Sequence, residues 1–187
     1  MGVLIRTSIV IAAVLGTVAA ATIRVKAQSV STPGLTAAFI FNFVKFTTWP
    51  ADGLSDGSPI VICVGGNQLV ADALVQLTNS KTVEGHALAI RQTDLDRPLT
   101  ECHVVYGASL NANRAQELVR ATTGHPILTV SDLEDFAERG GVANFYIDGG
   151  RMRFAVNPDA ADRASLRVSS RLLRLADIVR PRATAGD

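Results

Sequence analysis

The stretch IVICVGGNQLVADALVQLT, residues 60–78, indicates the class of fold. Its first five residues, Ile60 to Val64, are all apolar, as is typical of a strand that is covered on both faces. Gly65-Gly66 then turns the chain, and a helix is predicted over Gln68–Thr78. Five apolar side chains form the predicted inward face of this helix: Leu69, Val70, Ala73, Leu74 and Leu77. A strand followed directly by a helix is the repeating unit of a parallel α/β sheet.

The same alternation continues toward the C-terminus. Strands are predicted at residues 86–93, 104–106 and 127–130, and helices at 114–122 and 133–138. A further short helix is predicted from Asn157-Pro158 to Arg163, because asparagine and proline are typical of a helix start. We therefore expect a single α/β domain in which helices flank a mainly parallel sheet.

The segment VANFYIDGGRMRFAVN, residues 142–157, predicts an antiparallel hairpin at the C-terminal end of the sheet. Gly149-Gly150 suits a two-residue primed turn, in which both central positions need a positive φ. In this register one face is wholly apolar, with the pairs Ala143–Val156, Phe145–Phe154 and Ile147–Met152. The other face carries the pairs Tyr146–Arg153 and Asp148–Arg151 beside water. A slip of one residue would move both sets to the wrong face, so the pattern specifies the register.

An aromatic helix is predicted in the N-terminal part of the sequence. Thr32-Pro33 is typical of a helix start, and the helix is predicted over residues 35–48, where Trp49-Pro50 ends it. Four apolar side chains share one face: Leu35, Phe39, Phe43 and Phe46. Three others extend the apolar surface around much of the cylinder: Ile40, Phe41 and Val44. Such a helix is either deeply buried or shared with a partner, which makes Phe39 and Phe43 candidate binding residues.

The C-terminal segment concentrates arginines around two serines. Arg167, Arg171 and Arg174 surround Ser169-Ser170, and we predict that one of these serines caps a final helix ended by Arg180-Pro181. Its predicted inward stripe is Leu172, Leu175, Ala176 and Val179. A serine-capped helix start flanked by arginines can hold an anion or the carboxylates of a partner. Arg167, Ser169 and Arg171 are therefore candidate binding residues, and ordinary capping on a solvated helix face is the alternative.

No segment of the sequence matches a catalytic or metal-binding motif. Gly65-Gly66 follows a strand, but residues 63–69 fit neither GxGxxG nor GxxxxGK[ST], so a tight turn explains the glycines. There is no GxSxG elbow, and Ser131-Asp132 is better explained as a helix cap than as a catalytic dyad. Three histidines lack metal-binding spacing: His86, His103 and His125. We expect no enzymatic activity, no metal and no cofactor.

The first 27 residues have the features of a cleavable secretory signal. Arg6 gives a basic head, residues 7–21 carry no charge, and Val25-Lys26-Ala27 fits the small-residue pattern at a cleavage site. The apolar core is shorter than the about 20 residues that span a bilayer. We predict a signal peptide at residues 1–27 and an exported domain at residues 28–187. Cleavage after Ala21 and an uncleaved membrane anchor are the alternatives.

The predicted mature chain is nearly neutral. Loss of Arg6, Arg24 and Lys26 reduces 18 basic residues to 15, against 17 acidic residues, which gives a net charge of −2. This balance argues against nucleic acid or an anionic membrane surface as the main partner, because both attract a concentrated basic patch.

The sequence contains two cysteines, Cys63 and Cys102. An even count in an oxidising compartment predicts one disulfide, with two buried free thiols as the alternative. The 39-residue separation would give a stabilisation of about 4 kcal/mol in the chain-entropy description. Two thiols alone do not supply the ligands that zinc needs.

Three segments, taken in order, resemble one protein family. AAFIFNFVKFTTWP, residues 37–50, resembles the family's aromatic opening helix, which ends in Trp-Pro. LTVSD at 128–132 with GGVANF at 140–145 is similar to the central signature. RFAVN at 153–157 with LRVSSRLLRLA at 166–176 is similar to the closing signature. The family is YfiR, and the resemblance covers about residues 34–179.

The resemblance implies a non-catalytic periplasmic regulator. YfiR-type proteins repress an inner-membrane diguanylate cyclase by binding its periplasmic sensor domain. An OmpA-like outer-membrane lipoprotein sequesters the repressor, which raises cyclic di-GMP and favours biofilm. The resemblance also implies that Cys63 and Cys102 are paired, whereas a second cysteine pair that some relatives carry near residues 137–144 is missing here. The apolar helix could also be shared with a second copy in a homodimer. Two other classes of function stay open: a periplasmic module that binds a small ligand, such as an anion near Arg167 and Ser169, for another membrane receptor, and an enzyme whose site the sequence does not reveal.

Overall fold

The computed structural model of the chain describes residues 32–181, so the predicted signal segment lies outside the described residues. In chain order the elements are α1 (Thr32–Lys45), β1 (Thr47–Thr48), β2 (Ile60–Gly65), α2 (Gln68–Thr78), β3 (Thr82–Val83), β4 (His86–Gln92), β5 (Val104–Gly107), α3 (Ala112–Thr122), β6 (Leu128–Ser131), β7 (Ala143–Asp148), β8 (Arg151–Val156), α4 (Pro158–Arg163), β9 (Arg167–Val168), α5 (Ser170–Leu173) and β10 (Asp177–Ile178). Within residues 32–181, no helix is both long and apolar enough to cross a bilayer.

Eight strands form the main sheet, in the order β10-β8-β7-β6-β5-β2-β4-β3. The neighbours β4, β2, β5, β6 and β7 pair in parallel, and β7 and β8 pair antiparallel. The chain passes from β2 to β4 on one side and then returns to form β5 on the other side, so the strand order reverses between β2 and β5. The predicted α/β fold, with a mainly parallel sheet and a C-terminal hairpin, is confirmed.

The central β2–α2 unit explains why the sheet has two covered faces. All six residues of β2 are buried. Ile60, Ile62 and Val64 belong to the larger core beneath α1 and α2, whereas Val61 and Cys63 belong to a smaller core beneath α3. This alternation follows from the two-residue period of a strand, which points successive side chains to opposite faces.

The helix α2 has the predicted bounds, and four of its five predicted inward residues pack in the larger core. The Asn67 side chain accepts a hydrogen bond from the backbone N–H of Val70 and caps the helix. Val70, Leu74 and Thr78 are buried at a four-residue spacing, together with Ala71. Leu69 is 65% exposed, so its assignment to the inward face was wrong.

The hairpin prediction is confirmed residue by residue. Phe145 pairs with Phe154, and the other four cross-strand pairs also have the predicted register. Gly149 and Gly150 have φ values of 54° and 74°, as a primed turn requires. The ion pair on the solvent face runs diagonally, with Arg153 Nε 2.9 Å from Asp148 Oδ2.

The first helix begins and ends three residues earlier than predicted. α1 ends at Lys45, and Thr47–Thr48 forms the strand β1, which pairs antiparallel with β9. The backbone N–H of Ser169 also donates to the carbonyl oxygen of Phe46 at 2.8 Å. The partner strand thus offers hydrogen bonds to residues that precede Pro50, where helical backbone is already disfavoured.

The segment 133–138, predicted to be helical, consists of turns. The backbone N–H of Ala137 donates to the buried Asn144 side chain at 3.2 Å, instead of to a carbonyl one helical turn earlier. The Asn157 side chain donates to the carbonyl oxygen of Ala137 at 2.8 Å. These two asparagines bond both backbone groups of Ala137 outside the helical pattern and therefore stabilise the tighter turn.

The final helix is shorter than predicted. The predicted cap Ser169 is present, but α5 ends at Leu173 and the chain becomes extended at β10. β10 pairs in parallel with β8, and the backbone N–H of Val179 donates to Val156 O at 2.9 Å. Leu175 is consequently 76% exposed rather than inward. The free edge of β8 offers backbone partners that a local helical pattern does not reveal.

The predicted disulfide is present. Cys63 in β2 is bonded to Cys102, which lies just before β5, with the two Cα atoms 5.9 Å apart. Both residues are buried in the smaller core with Val105 and Leu118. The bond therefore ties the central strand to the segment that leads into its neighbour.

We expect replacement of both Cys63 and Cys102 by alanine to lower the free energy of unfolding by about 4 kcal/mol, because the unfolded chain loses its cross-link. Chemical denaturation, followed by circular dichroism, measures this difference. A reducing agent should lower the unfolding midpoint of the unsubstituted protein and leave that of the double variant unchanged. Equal midpoints for the fully reduced and the oxidised protein would contradict the prediction.

Candidate functional site

The two predicted phenylalanines pack against the hairpin. The Phe43 ring centroid lies 5.7 Å from that of Phe145 and 5.2 Å from that of Phe154. Phe39 makes similar contacts, at 5.6 and 5.8 Å. Phe43 is only 1% exposed, whereas Phe39 remains partly accessible. Phe43 is therefore part of the core, and Phe39 is the member of the pair that a partner can reach.

The remaining aromatic surface of α1 lies beside α2. Phe41 and Phe46 pack against the larger core and are partly buried. The ammonium group of Lys81 lies 5.3 Å from the Phe41 ring centroid, and that of Lys45 lies 5.8 Å from it. The all-round apolar character of α1 is explained in large part by its position between the hairpin and α2.

The arginine segment is joined to the end of α1. Arg167 lies opposite Thr48 in the β1–β9 ladder, and Ser169 donates its backbone N–H to Phe46. The Ser169 hydroxyl accepts a hydrogen bond from the backbone N–H of Arg171 at 3.2 Å. The end of α1 and the predicted arginine segment, about 120 positions apart in the sequence, thus adjoin each other.

The segment from β9 to Pro181 exposes a basic and apolar surface, which we call the C-terminal surface. Its members are Arg167, Arg171, Arg174, Leu175, Ile178 and Arg180. None of its four arginines forms an ion pair with another residue between 32 and 181. Ile178, in the edge strand β10, is 50% exposed. α5 comprises one turn, so the arginines rather than a helix dipole supply the positive charge.

The polar groups that resembled catalytic residues have structural hydrogen bonds. The Ser131 hydroxyl donates to Gly107 O at 2.8 Å and accepts from the backbone N–H of Leu133. Asp132 Oδ1 accepts from the backbone N–H of Ser109 at 2.6 Å. Across the described part of the chain, no three histidine, cysteine, aspartate or glutamate side chains are placed to hold a metal ion.

His103 is a partly buried hydrogen-bond acceptor beside Trp49. Its Nδ1 accepts the backbone N–H of Val61 at 3.0 Å, so the proton of the neutral ring is on Nε2. The Trp49 indole N–H donates to the His103 carbonyl oxygen at 3.3 Å. Burial lowers the pKa of His103 below 6.5, and this outweighs a hydrogen bond to the Gly53 backbone that acts in the opposite direction. His86 is also hydrogen-bonded, through Nδ1, to Ser58 O at 2.7 Å.

A crevice of about 530 Å³ opens at the carboxyl end of the parallel strands. We call it the carboxyl-edge crevice; it is lined by Thr32, Pro33, Thr36, Asn67, Val70, Tyr106, Asp132, Glu134, Phe145, Tyr146, Ile147 and Met152. The Tyr106 hydroxyl donates to Asp132 Oδ2 at 3.4 Å. Burial, followed by the negative charge of Asp132, raises the pKa of Tyr106 well above 10, so this phenol stays protonated.

Sequence reasoning missed this crevice because its residues come from seven separate elements or loops. Each residue alone is ordinary: Asn67 caps a helix, and Asp132 follows a strand. One signal was available in the sequence, namely the polar residues that directly follow β2 and β6. In a parallel sheet the carboxyl ends of strands meet at one edge, which is where ligands bind in open α/β folds.

Comparison with known proteins gives two findings. A family model described as YfiR/HmsC-like matches residues 34–177. The chain is also similar to the crystal structure of a conserved domain protein from Vibrio cholerae O1 biovar El Tor, with a TM-score of 0.52 and 14% sequence identity. That match covers 79% of this chain and 60% of the Vibrio chain. At this identity the likeness concerns the fold alone.

We expect His103 to make the stability of the domain pH-dependent. Because folding lowers its pKa, the neutral ring contributes stability above pH 6.5, and this contribution is lost as the pH falls below 6.5. The free energy of unfolding of the unsubstituted protein should therefore fall more steeply on acidification than that of His103→Asn. Urea denaturation at a series of pH values measures both slopes. Parallel pH profiles for the two proteins would contradict this assignment.

Proposed function

The chain belongs to the YfiR/HmsC-like family, and from this premise we propose that it represses an inner-membrane diguanylate cyclase by binding the periplasmic sensor region of that enzyme. The family suggests a periplasmic regulator of cyclic di-GMP signalling. In this role the protein acts by binding, and the output is the cyclic di-GMP that the cyclase makes inside the cell.

The C-terminal surface is the observation that carries the proposal. Four arginines without an ion-pair partner among residues 32–181 are concentrated there, although the predicted mature chain has a net charge of −2. Leu175 and Ile178 add exposed apolar area to the same segment. Arginine is enriched among the residues that contribute most to binding at protein interfaces, and the buried centre of an interface is more apolar than the rest of the surface. An acidic partner surface with an apolar centre complements this segment.

The neighbouring end of α1 extends the proposed surface. The β1–β9 ladder and the bond from Ser169 to Phe46 fix the C-terminal surface against the aromatic helix. Phe39 is a partly accessible aromatic residue of that helix. We assign the partner contact to Phe39, Arg167, Ser169 and Arg171, with Phe43 supporting Phe39 from within the core.

Two further partners belong to the proposal. An OmpA-like outer-membrane lipoprotein would sequester the protein and release the cyclase, and a homodimer would share the aromatic helix. Both require export to the periplasm, which the predicted signal segment provides. The disulfide between Cys63 and Cys102 is consistent with export, because disulfides persist in that oxidising compartment.

A small-ligand sensor that serves another membrane receptor is the second candidate function. A cleft of about 340 Å³ beside Arg167, which Thr47, Trp49, Glu84 and His86 also line, favours it. The cleft contains both signs of charge, so it suits a small polar ligand better than a simple anion. Thermal-shift screening with small polar metabolites tests this candidate, because a ligand that binds the folded state raises the unfolding temperature.

Reversal of charge at the C-terminal surface should abolish repression. We expect Arg167→Glu combined with Arg171→Glu to weaken binding to the isolated sensor region by about tenfold or more, or about 1.4 kcal/mol, because two attractive contacts become repulsive. Calorimetry measures the affinity, and a cyclic di-GMP reporter measures repression in cells. Arg97→Glu, at an exposed arginine outside the surface, is the matched control. Equal affinity of the double variant and the unsubstituted protein would refute this binding surface.

The two phenylalanines should respond differently to substitution. We expect Phe39→Asp to remain folded and to derepress the cyclase, because the side chain is partly accessible. Phe43→Asp should destabilise the domain by at least about 3 kcal/mol, because it places a charge in the buried aromatic cluster. Circular dichroism melts separate the two effects. A folded Phe39→Asp variant that represses normally would exclude Phe39 from the interface.

A further inference from the structure

The carboxyl-edge crevice lies where the fold places a ligand site. It is lined by residues at the ends of β2, β5 and β6, and the strand order reverses between β2 and β5. In open α/β sheets, ligands bind outside the carboxyl ends of the strands at such a reversal. Its volume, about 530 Å³, falls within the range of about 300–1,000 Å³ that is typical of small-molecule sites.

One wall of the crevice is apolar and remains open to solvent. Val70 and Phe145 are fully buried in the larger core and form a rigid support. Ile147 and Met152 form a cross-strand pair on the apolar face of the hairpin. Although it lies on that face, Ile147 is 64% exposed, because α1 covers the hairpin only nearer Phe145 and Phe154. The pair therefore presents apolar area to the crevice that no other element covers within the described residues.

The crevice also has acidic lining residues. Asp132 and Glu134 both line the crevice and are both exposed. Neither carboxylate forms an ion pair with a residue between 32 and 181. No lysine, arginine or histidine is among the lining residues, so nothing within the crevice neutralises the two charges. The Ser109 backbone N–H and the Tyr106 hydroxyl hold the Asp132 carboxylate in place.

We propose that the carboxyl-edge crevice binds a small amphipathic cation, namely a primary amine with an apolar or aromatic body. The body packs against Ile147 and Met152, and the ammonium group lies between the carboxylates of Asp132 and Glu134. This inference goes beyond the proposed function and does not depend on it, because the crevice involves none of the residues assigned to the partner contact.

Three probes of one shape separate charge recognition from simple apolar binding: 4-phenylbutylamine, 4-phenylbutanol and 4-phenylbutyrate. Met1 and Met152 are the two methionines of the sequence, so ¹³C labelling of methionine methyl groups gives a sparse spectrum in which Met152→Leu identifies the reporter signal. Titration of the Met152 methyl signal gives the affinity of each probe. We expect the amine to bind about tenfold more tightly than the alcohol and the butyrate to bind most weakly, because a charge-assisted hydrogen bond forms only with the amine.

Two pairs of variants localise the site. Glu134→Gln should weaken binding of the amine several-fold and leave the affinity for the alcohol unchanged. Glu84→Gln, at a residue that lines the cleft beside Arg167, should change neither affinity. Ile147→Lys should abolish amine binding, whereas Val75→Lys, at an exposed apolar position on α2, should preserve it. The proposal is overturned if the Met152 signal does not shift, if the amine and the alcohol bind equally well, or if Ile147→Lys still binds the amine. Equal binding of all three probes would indicate an apolar docking surface for a protein segment instead.

Discussion

The fold depends on one buried strand whose backbone groups must all be paired. β2 has no exposed residue, and an unpaired backbone N–H or C=O group there would cost about 1–3 kcal/mol. Parallel ladders to β4 on one side and β5 on the other provide the partners. The disulfide from Cys63 to Cys102 ties the strand to the chain that enters β5. The crevice lies at the carboxyl ends of the parallel strands, and His103 and Arg167 lie near their amino ends. The position of β2 in the sheet therefore sets the positions of both regions.

The features that can be predicted from the sequence are those that depend on residues close together in the chain. The alternation of apolar and polar residues in β7 and β8, with Gly149-Gly150 between them, fixes the register of the hairpin. A slip of one residue would expose Phe145 and Phe154. The bounds of α2 and most of its inward face follow from its apolar spacing, but the exposure of Leu69 does not. Val70 and Leu69 are both apolar, and their difference in exposure is set by where α1 and the sheet lie.

The features that sequence reasoning could not predict are pairings between distant segments. Thr47 and Val168 are separated by 121 positions, and their pairing converts the end of a predicted helix into a strand. β10 is extended because the edge of β8 offers hydrogen bonds, although residues 169–179 have a helical pattern. Asn144 and Asn157 hold the turn before β7 through buried side-chain hydrogen bonds. The arginines of the C-terminal surface were identified from sequence, whereas the crevice needed the strand order.

The crevice and the C-terminal surface are linked through one packed core. Phe145 lines the crevice and contacts Phe39 and Phe43 of α1, and the end of α1 is bonded to Ser169 through Phe46. Packing alone does not couple two sites, since coupling requires an element with two arrangements that each ligand binds with different affinity. α1 touches both regions, and so does the hairpin, because Tyr146 lines the crevice and its hydroxyl donates to Asp177 in β10. A ligand in the crevice would therefore influence the C-terminal surface only to the extent that it binds one position of α1 or of the hairpin more tightly than another.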